Sequence, residues 1–160
     1  MWVRSSGDRT IGTEDRFDGT AAFLFEHGPL LKVAAEVLEA VTAHARRATP
    51  SECCGVLVGT TTMIVEAVAA NNLADTPTRF LIDPRDHIAT MRDARRRGLR
   101  VVGFYHSHPK SPAVPSETDR REANYPDHFY LIVGLASQQA DIRVFMFDGH
   151  DFVETRFDVA

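Results

Sequence analysis

Two kinds of apolar periodicity interleave irregularly along the 160 residues, and their order does most to narrow the fold. Val33, Val37, Leu38, Val41 and Ala45 recur at helical spacing from Leu31 until Pro50 closes the stretch, which predicts a first amphipathic helix. Cys53 to Gly59 and Met63 to Ala70 are short β-rich runs across the turn Gly59-Thr60-Thr61-Thr62 and predict a hairpin. Phe80-Leu81-Ile82 predicts a short strand. Asp83 then reads as an N-cap with Pro84 at the first helical position, Ile88 and Met91 on the inner face, and Gly98 as the stop of a second helix. Strand-like runs follow at Leu99 to Tyr105, Phe129 to Leu135, Ile142 to Phe147 and Phe152 to Phe157, with a short helix near 117 to 124 after a loop holding Pro109, Pro112 and Pro115. The last two runs join across Asp148-Gly149-His150-Asp151 as a hairpin. Without regular βαβ alternation or an internal repeat, the pattern implies an α/β protein built on a mixed sheet flanked by helices.

At this length one core suffices, so residues 29–160 read as one domain. Residues 1–28 read as an N-terminal extension that can add one edge strand through Ala21 to Phe25. A net charge of -4 argues against nucleic acid as a partner, because phosphate binding needs an excess of Lys and Arg on one face. The basic cluster Arg92, Arg95, Arg96, Arg97 and Arg100 falls on the second helix and its exit and reads as a solvated helix face. No apolar run is long enough to span a bilayer, and the first residues lack the apolar stretch of a secretory signal, so no membrane partner and a cytoplasmic location are expected. Cys53 and Cys54 are adjacent, which makes a disulfide between them a strained arrangement.

His106 and His108 stand two apart where the strand Leu99 to Tyr105 runs out, so in extended backbone both imidazoles face the same side. That is half of a metal site, and a catalytic zinc site takes a third nitrogen or oxygen ligand. Asp119 is the first candidate, since the proline-containing loop can return its carboxylate to the strand end; Asp127 and His128 are the reserves. Glu52, entering a neighbouring strand just before an apolar run, is placed to act as general base on a water at the metal. Ser116-Glu117-Thr118-Asp119 fits a helix-capping pattern, which does not prevent the Ser116 hydroxyl from also meeting a substrate carbonyl oxygen. The remaining histidines, His27, His44, His87 and His150, have no acidic or serine partner at a telling spacing and read as structural.

Together these residues resemble a known family. His106-Ser107-His108-Pro109, six residues, Ser116, two residues and Asp119, with Glu52 upstream of Cys54-Gly55-Val56-Leu57-Val58-Gly59, is similar to the signature of the JAMM (MPN-plus) metalloproteases, in their bacterial stand-alone form. The resemblance covers Leu31 to the C-terminus and implies a cytidine-deaminase-like α/β fold. It implies one catalytic Zn2+ on His106, His108 and Asp119, Glu52 as base, and Ser116 stabilising the tetrahedral intermediate. It implies hydrolysis of a peptide or isopeptide bond after the Gly-Gly tail of a ubiquitin-like protein. The short chain favours a sulfur-carrier protein as substrate, by tail processing or cysteine release, over a deubiquitinase-like role. Two other readings compete: a Cys53 or Cys54 thiol nucleophile, which the small-residue setting beside Gly55 disfavours, and a non-catalytic zinc-containing MPN binding module, which an open coordination position beside Glu52 disfavours.

Overall fold

The structure is a computed structural model that describes residues 30–74 and 76–160; the predicted N-terminal extension and its edge strand lie outside them. Eight strands and three helices follow in the order β1 (Leu31–Val33), α1 (Ala35–Ala48), β2 (Cys54–Gly59), β3 (Met63–Ala70), α2 (Pro84–Arg96), β4 (Arg100–His108), α3 (Glu117–Glu122), β5 (Phe129–Gly134), β6 (Asp141–Phe147), β7 (Phe152–Thr155) and β8 (Phe157–Val159). All strands share one mixed sheet, ordered β7-β6-β5-β4-β2-β3-β1-β8. β4 pairs parallel with β5 and antiparallel with β2, while β1 runs parallel to both β3 and β8. Among the described residues no helix is long and apolar enough to cross a membrane.

β4 lies in the middle of the sheet and divides its side chains between two layers. Val37, Val41 and Ala45 of α1 pack with Leu57, Tyr105, Leu131 and Val133 into the larger core. Val56, Phe104 and Tyr130 gather with Phe147 on the other face, where His87 of α2 meets Phe104 edge-on at 5.2 Å. A register shift between Leu57 and Val58 reverses the alternation near the start of β4, so Val102 joins the α1 core and Val101 the other cluster.

Four sequence expectations shift. Leu31 to Val33 is a strand, because Leu31 and Val33 are buried on either side of exposed Lys32 at period two, and the helix starts at Ala35. On α2, capped by Asp83 as predicted and ended by Gly98 at φ +72, the buried positions are Thr90 and Ala94, and Ile88 turns outward. Small residues on that inner stripe let the helix lie close to the sheet. Phe80 to Ile82 does not extend a sheet: apart from a bridge between Asn72 and Ile82, its backbone is held by the Asn72 side chain, whose Oδ1 accepts from the Leu81 amide at 2.9 Å. The final run breaks at Arg156, and its two halves occupy opposite edges of the sheet, β7 beside β6 and β8 beside β1. One linking residue spans at most about 7 Å, so the sheet coils until its edges nearly meet.

Candidate metal centre

β4 does not stop short of the histidines. His106 pairs with Cys54 on one side and Ile132 on the other, and His108 pairs with Gly134, so ladder pairing fixes the backbone of both before any ligand arrives. Period two then directs both rings to the face opposite Tyr105 and Ser107. Ser107 turns to the α1 side, where its Oγ accepts from the Cys53 amide at 2.9 Å and ties β4 to the end of the segment that carries Glu52.

Beyond β4 the chain turns back through Pro112 to α3. Ser116 caps α3: its Oγ accepts from the Asp119 amide at 3.0 Å, and its own amide donates to Asp119 Oδ2 at 2.7 Å, which makes a reciprocal capping box. The box orients the Asp119 carboxylate toward β4. Asp119 Oδ1 lies 3.3 Å from His106 Nε2 and Oδ2 lies 3.2 Å from His108 Nε2, with the two Nε2 atoms 3.1 Å apart. Among the described residues this trio forms the one group whose ligand atoms lie within 4.8 Å of one another, the spacing of a shared cation. The reserve residues stand elsewhere. Asp127 is exposed at φ 60, and His128 stacks on Phe104.

His108 Nδ1 lies 2.9 Å from the Pro112 carbonyl, which only accepts, so Nδ1 carries a proton; Nε2 then donates to Asp119 when the ring is protonated and offers its lone pair to a cation when the ring is neutral. Gly134 makes this contact possible. A Cβ there would fall 2.5 Å from the Ala113 amide nitrogen and 2.8 Å from the Pro112 carbonyl carbon, so only glycine lets the 111–113 backbone lie this close to β5. Ala113, fully buried against Ile132 and Phe145, pins the same segment.

The electrostatics suit a bound cation. Burial alone would raise the Asp119 pKa, but hydrogen bonds from both imidazoles and the Ser116 amide hold it far below the usual carboxylate range. Burial lowers the pKa of His106. In His108 burial is outweighed by the Asp119 and Pro112 hydrogen bonds and by the nearby Asp119 and Glu52 charges, which raise it. Two imidazole Nε2 atoms and a carboxylate crowded this tightly form a donor set that a divalent metal would satisfy.

Glu52 is 5% exposed and its Oε2 has no hydrogen-bond partner. Desolvation pushes its pKa up to about 8, with His108 acting in the opposite sense and Asp119 in the same one. Its backbone is anchored on both sides, by its amide to the Thr76 carbonyl and by its carbonyl to Asn72 Nδ2. Cys53 and Cys54 are buried free thiols with pKa values pushed up by burial to about 11 and about 12, which is poor preparation for a nucleophile.

A cleft of about 550 Å³ opens beside the cluster, with His106 and Asp119 in its wall and Phe80, Phe104, Tyr125 and Tyr130 among its aromatic lining. Phe80 stacks on the His106 ring with centroids 4.4 Å apart. The sequence placed Phe80 in a strand and tied the proline-containing loop to the return of Asp119, but it did not connect Phe80, Gly134 or the Pro112 carbonyl with the histidines. Their contribution passes through contacts between segments distant in sequence, so no local spacing signals it.

Known proteins resemble this chain in sequence and fold. Residues 34–148 match the family model described as prokaryotic homologs of the JAB domain. The desampylase of Haloferax volcanii is 36% identical over 109 residues, 64% of this chain and 78% of that protein. The CysO-cysteine peptidase of Mycobacterium tuberculosis is 33% identical over 106 residues, 65% of this chain and 73% of that protein. Among solved structures, protein DSY2949 from Desulfitobacterium hafniense superimposes with a TM-score of 0.76 at 32% identity, covering 82% of this chain and 93% of its own. A JAB1/MPN domain protein from Archaeoglobus fulgidus, at 21% identity and a TM-score of 0.55, covers 83% of this chain and 99% of its own and shares the fold.

Proposed function

This chain belongs to the prokaryotic JAB-domain, or JAMM, family of hydrolases, and on that premise we propose that it is a zinc metallopeptidase cleaving the peptide or isopeptide bond after the Gly-Gly tail of a ubiquitin-like protein. A sulfur-carrier protein is the preferred substrate. One observation carries the reading: the convergence of His106, His108 and Asp119 beside a buried, unpartnered Glu52 carboxylate oxygen. Relatives named desampylase and CysO-cysteine peptidase support the substrate class.

Zinc, when bound, would supply a Lewis acid that polarises the scissile carbonyl and makes a water easier to deprotonate. His108 is prepared for it by the Pro112 carbonyl, which fixes the tautomer, and Asp119 by the capping box, which fixes the carboxylate. Glu52 takes the proton from the attacking water and delivers it to the leaving amine nitrogen. In the metal-free protein burial raises this carboxyl to about 8, and a cation beside it would lower that value so that the carboxylate form is present to accept the proton. Ser116 Oγ already accepts from the Asp119 amide, but its hydroxyl hydrogen remains free to be donated to the developing oxyanion. The buried free thiols Cys53 and Cys54 are consistent with a reducing, cytoplasmic setting.

The test uses the purified full chain. We expect zinc by elemental analysis, cleavage of a Gly-Gly-tailed ubiquitin-like fusion directly after the tail by intact mass, loss of cleavage in a strong chelator with recovery on adding zinc, and no effect of iodoacetamide. Bound zinc with no cleavage of any such fusion would favour the binding-module reading instead.

A further inference from the structure

Glu52 stands just before β2, outside its ladder, so sheet pairing does not hold its backbone. Side-chain and turn contacts hold it instead. The last pair of the β2–β3 ladder is Cys54 with Ala70, and two further steps in the same antiparallel register bring Glu52 opposite Asn72. There the Asn72 carboxamide takes the place of a ladder bond, its Nδ2 donating to the Glu52 carbonyl at 3.0 Å. The same Nδ2 donates to the Arg79 carbonyl at 3.3 Å, and Oδ1 accepts from the amides of Ala74 and Leu81, each at 2.9 Å. The Glu52 amide in turn donates to the Thr76 carbonyl at 2.9 Å.

The partners of this carboxamide are backbone groups of fixed polarity, two carbonyls that only accept and two amides that only donate, so its orientation is settled. Aspartate in its place would keep both accepted amides but set a negative charge against two carbonyl oxygens. The Arg79 carbonyl and the Leu81 amide belong to the two peptide units that flank Phe80, so the carboxamide grips Phe80 from both sides. The Phe80 ring lies on His106 with centroids 4.4 Å and planes 20° apart. One half-buried side chain thus joins the segment that carries the carboxylate base to the ring that backs a candidate metal ligand.

We propose that Asn72 is a positioning residue of the hydrolysis, fixing Glu52 through its carbonyl and Phe80 through the two flanking peptides, so that the base and the wall over His106 keep one spacing. This rests on the peptidase reading given above and names a residue on which the rate of that chemistry depends. Asn72 acts through Glu52 and Phe80, not on the reacting atoms. A misplacement of about 1 Å is enough to cost about 100-fold in rate, and a base outside the sheet ladder has little else to prevent one.

The test uses the purified full chain and combines zinc content, cleavage of a Gly-Gly-tailed ubiquitin-like fusion, and amide hydrogen exchange resolved to Glu52 and Leu81. Asn72→Asp removes the donation to the Glu52 carbonyl and keeps the bonds from Ala74 and Leu81, so it serves even where Asn72→Ala fails to fold. We expect Asn72→Asp to exchange faster at Glu52 but not at Leu81, and to lose about 10–100-fold in kcat with KM and zinc content within about twofold of wild type. Asn72→Ala should loosen both amides and raise KM as well, since Phe80 lines the cleft. Because Asn72 acts through the base, Asn72→Asp added to Glu52→Gln should lower the residual single-turnover rate by less than about a further twofold. The same fold-loss with and without Glu52, or wild-type kcat and wild-type exchange at Glu52 in the aspartate variant, would overturn the positioning role while leaving the peptidase reading intact. If the wild-type enzyme cleaves no such fusion, the peptidase reading falls and the rate dependence on Asn72 with it.

Discussion

The two faces of β4 carry side chains from adjacent positions into opposite settings. Tyr105 and Ser107 look toward α1: Tyr105 is buried with its hydroxyl against His44 Nδ1 at 2.8 Å, and Ser107 accepts the Cys53 amide. Among the described residues no buried side-chain nitrogen or oxygen on that face lacks a partner, and the surroundings are apolar side chains packed against α1. Phe104, His106 and His108 look the other way, toward the cluster with Asp119 and the cleft that Phe104 and His106 line, and on this side Glu52 Oε2 and His106 Nδ1 are left without partners. On the proposed reading, one strand thus gives alternate residues to stability and to chemistry. The unsatisfied face can be held only because the satisfied one fixes the backbone.

The largest expected effect tests the chemical face. Glu52→Gln keeps shape and removes the proton acceptor, so kcat should fall about 10²–10⁴-fold while zinc stoichiometry is unchanged. Turnover near wild type would remove Glu52 from the mechanism. Stability should move in the opposite direction. In the metal-free protein the Glu52 pKa is raised from 4.5 to about 8, so the folded state holds a proton that the unfolded chain releases. Stability is therefore fully present below pH 4.5 and declines as pH rises through about 8. The glutamine variant lacks that decline, and at pH 8 its Tm should exceed that of wild type by about 2–4 °C for each kcal/mol recovered. An unchanged pH dependence of Tm would show that the buried carboxyl carries no such cost.

The opposite outcome is expected on the α1 side. Leu131 is fully buried there, and Leu131→Ala should cost about 2–5 kcal/mol of unfolding free energy, read by denaturant titration, with kcat of the folded enzyme at saturating zinc almost unchanged. A large drop in kcat would break the division of labour between the faces. Gly134→Ala falls between the two, because the added methyl meets the segment whose carbonyl fixes His108. Overpacking predicts about 1–3 kcal/mol of lost stability, and disturbance of the histidine's outer partner about 10–100-fold weaker zinc binding. Competition with a chromophoric chelator measures the second quantity. Zinc affinity equal to wild type would mean that the Pro112 contact does not prepare His108.

How much of this was legible in the sequence follows from the range of the interactions. Local chemistry was readable: the Asp83 cap and Pro84 start of α2, the Gly98 stop, both hairpins, and the shared side of His106 and His108, which period two requires. The strand Leu31–Val33 was absorbed into a helix because its period-two signal is only three residues long and runs into the helical one. Arg156 gave no sign of carrying the chain to the opposite edge, since that depends on how strongly the whole sheet coils. The convergence of Asp119 on the histidine pair rested on the spacing of a resembled family, and in the fold it is achieved by the capping box and the buried Ala113.

Ser116 is where the two duties meet in one side chain, and the smallest expected effect separates them. Ser116→Ala removes the acceptor for the Asp119 amide and should cost about 0.5–2 kcal/mol of stability, together with some loss of order in the Asp119 carboxylate. Alanine therefore cannot distinguish a lost cap from a lost oxyanion donor. Ser116→Gly can, because glycine at the cap costs only a few tenths of a kcal/mol relative to serine and has no side-chain donor. If the hydroxyl donates to the developing oxyanion, the glycine variant should keep nearly the Tm and zinc affinity of wild type while kcat stays about 10-fold or more below it. If the glycine variant keeps kcat along with Tm, Ser116 acts only by holding Asp119 in place, and the chemistry on this face narrows to Glu52 and the three side chains around the cation position.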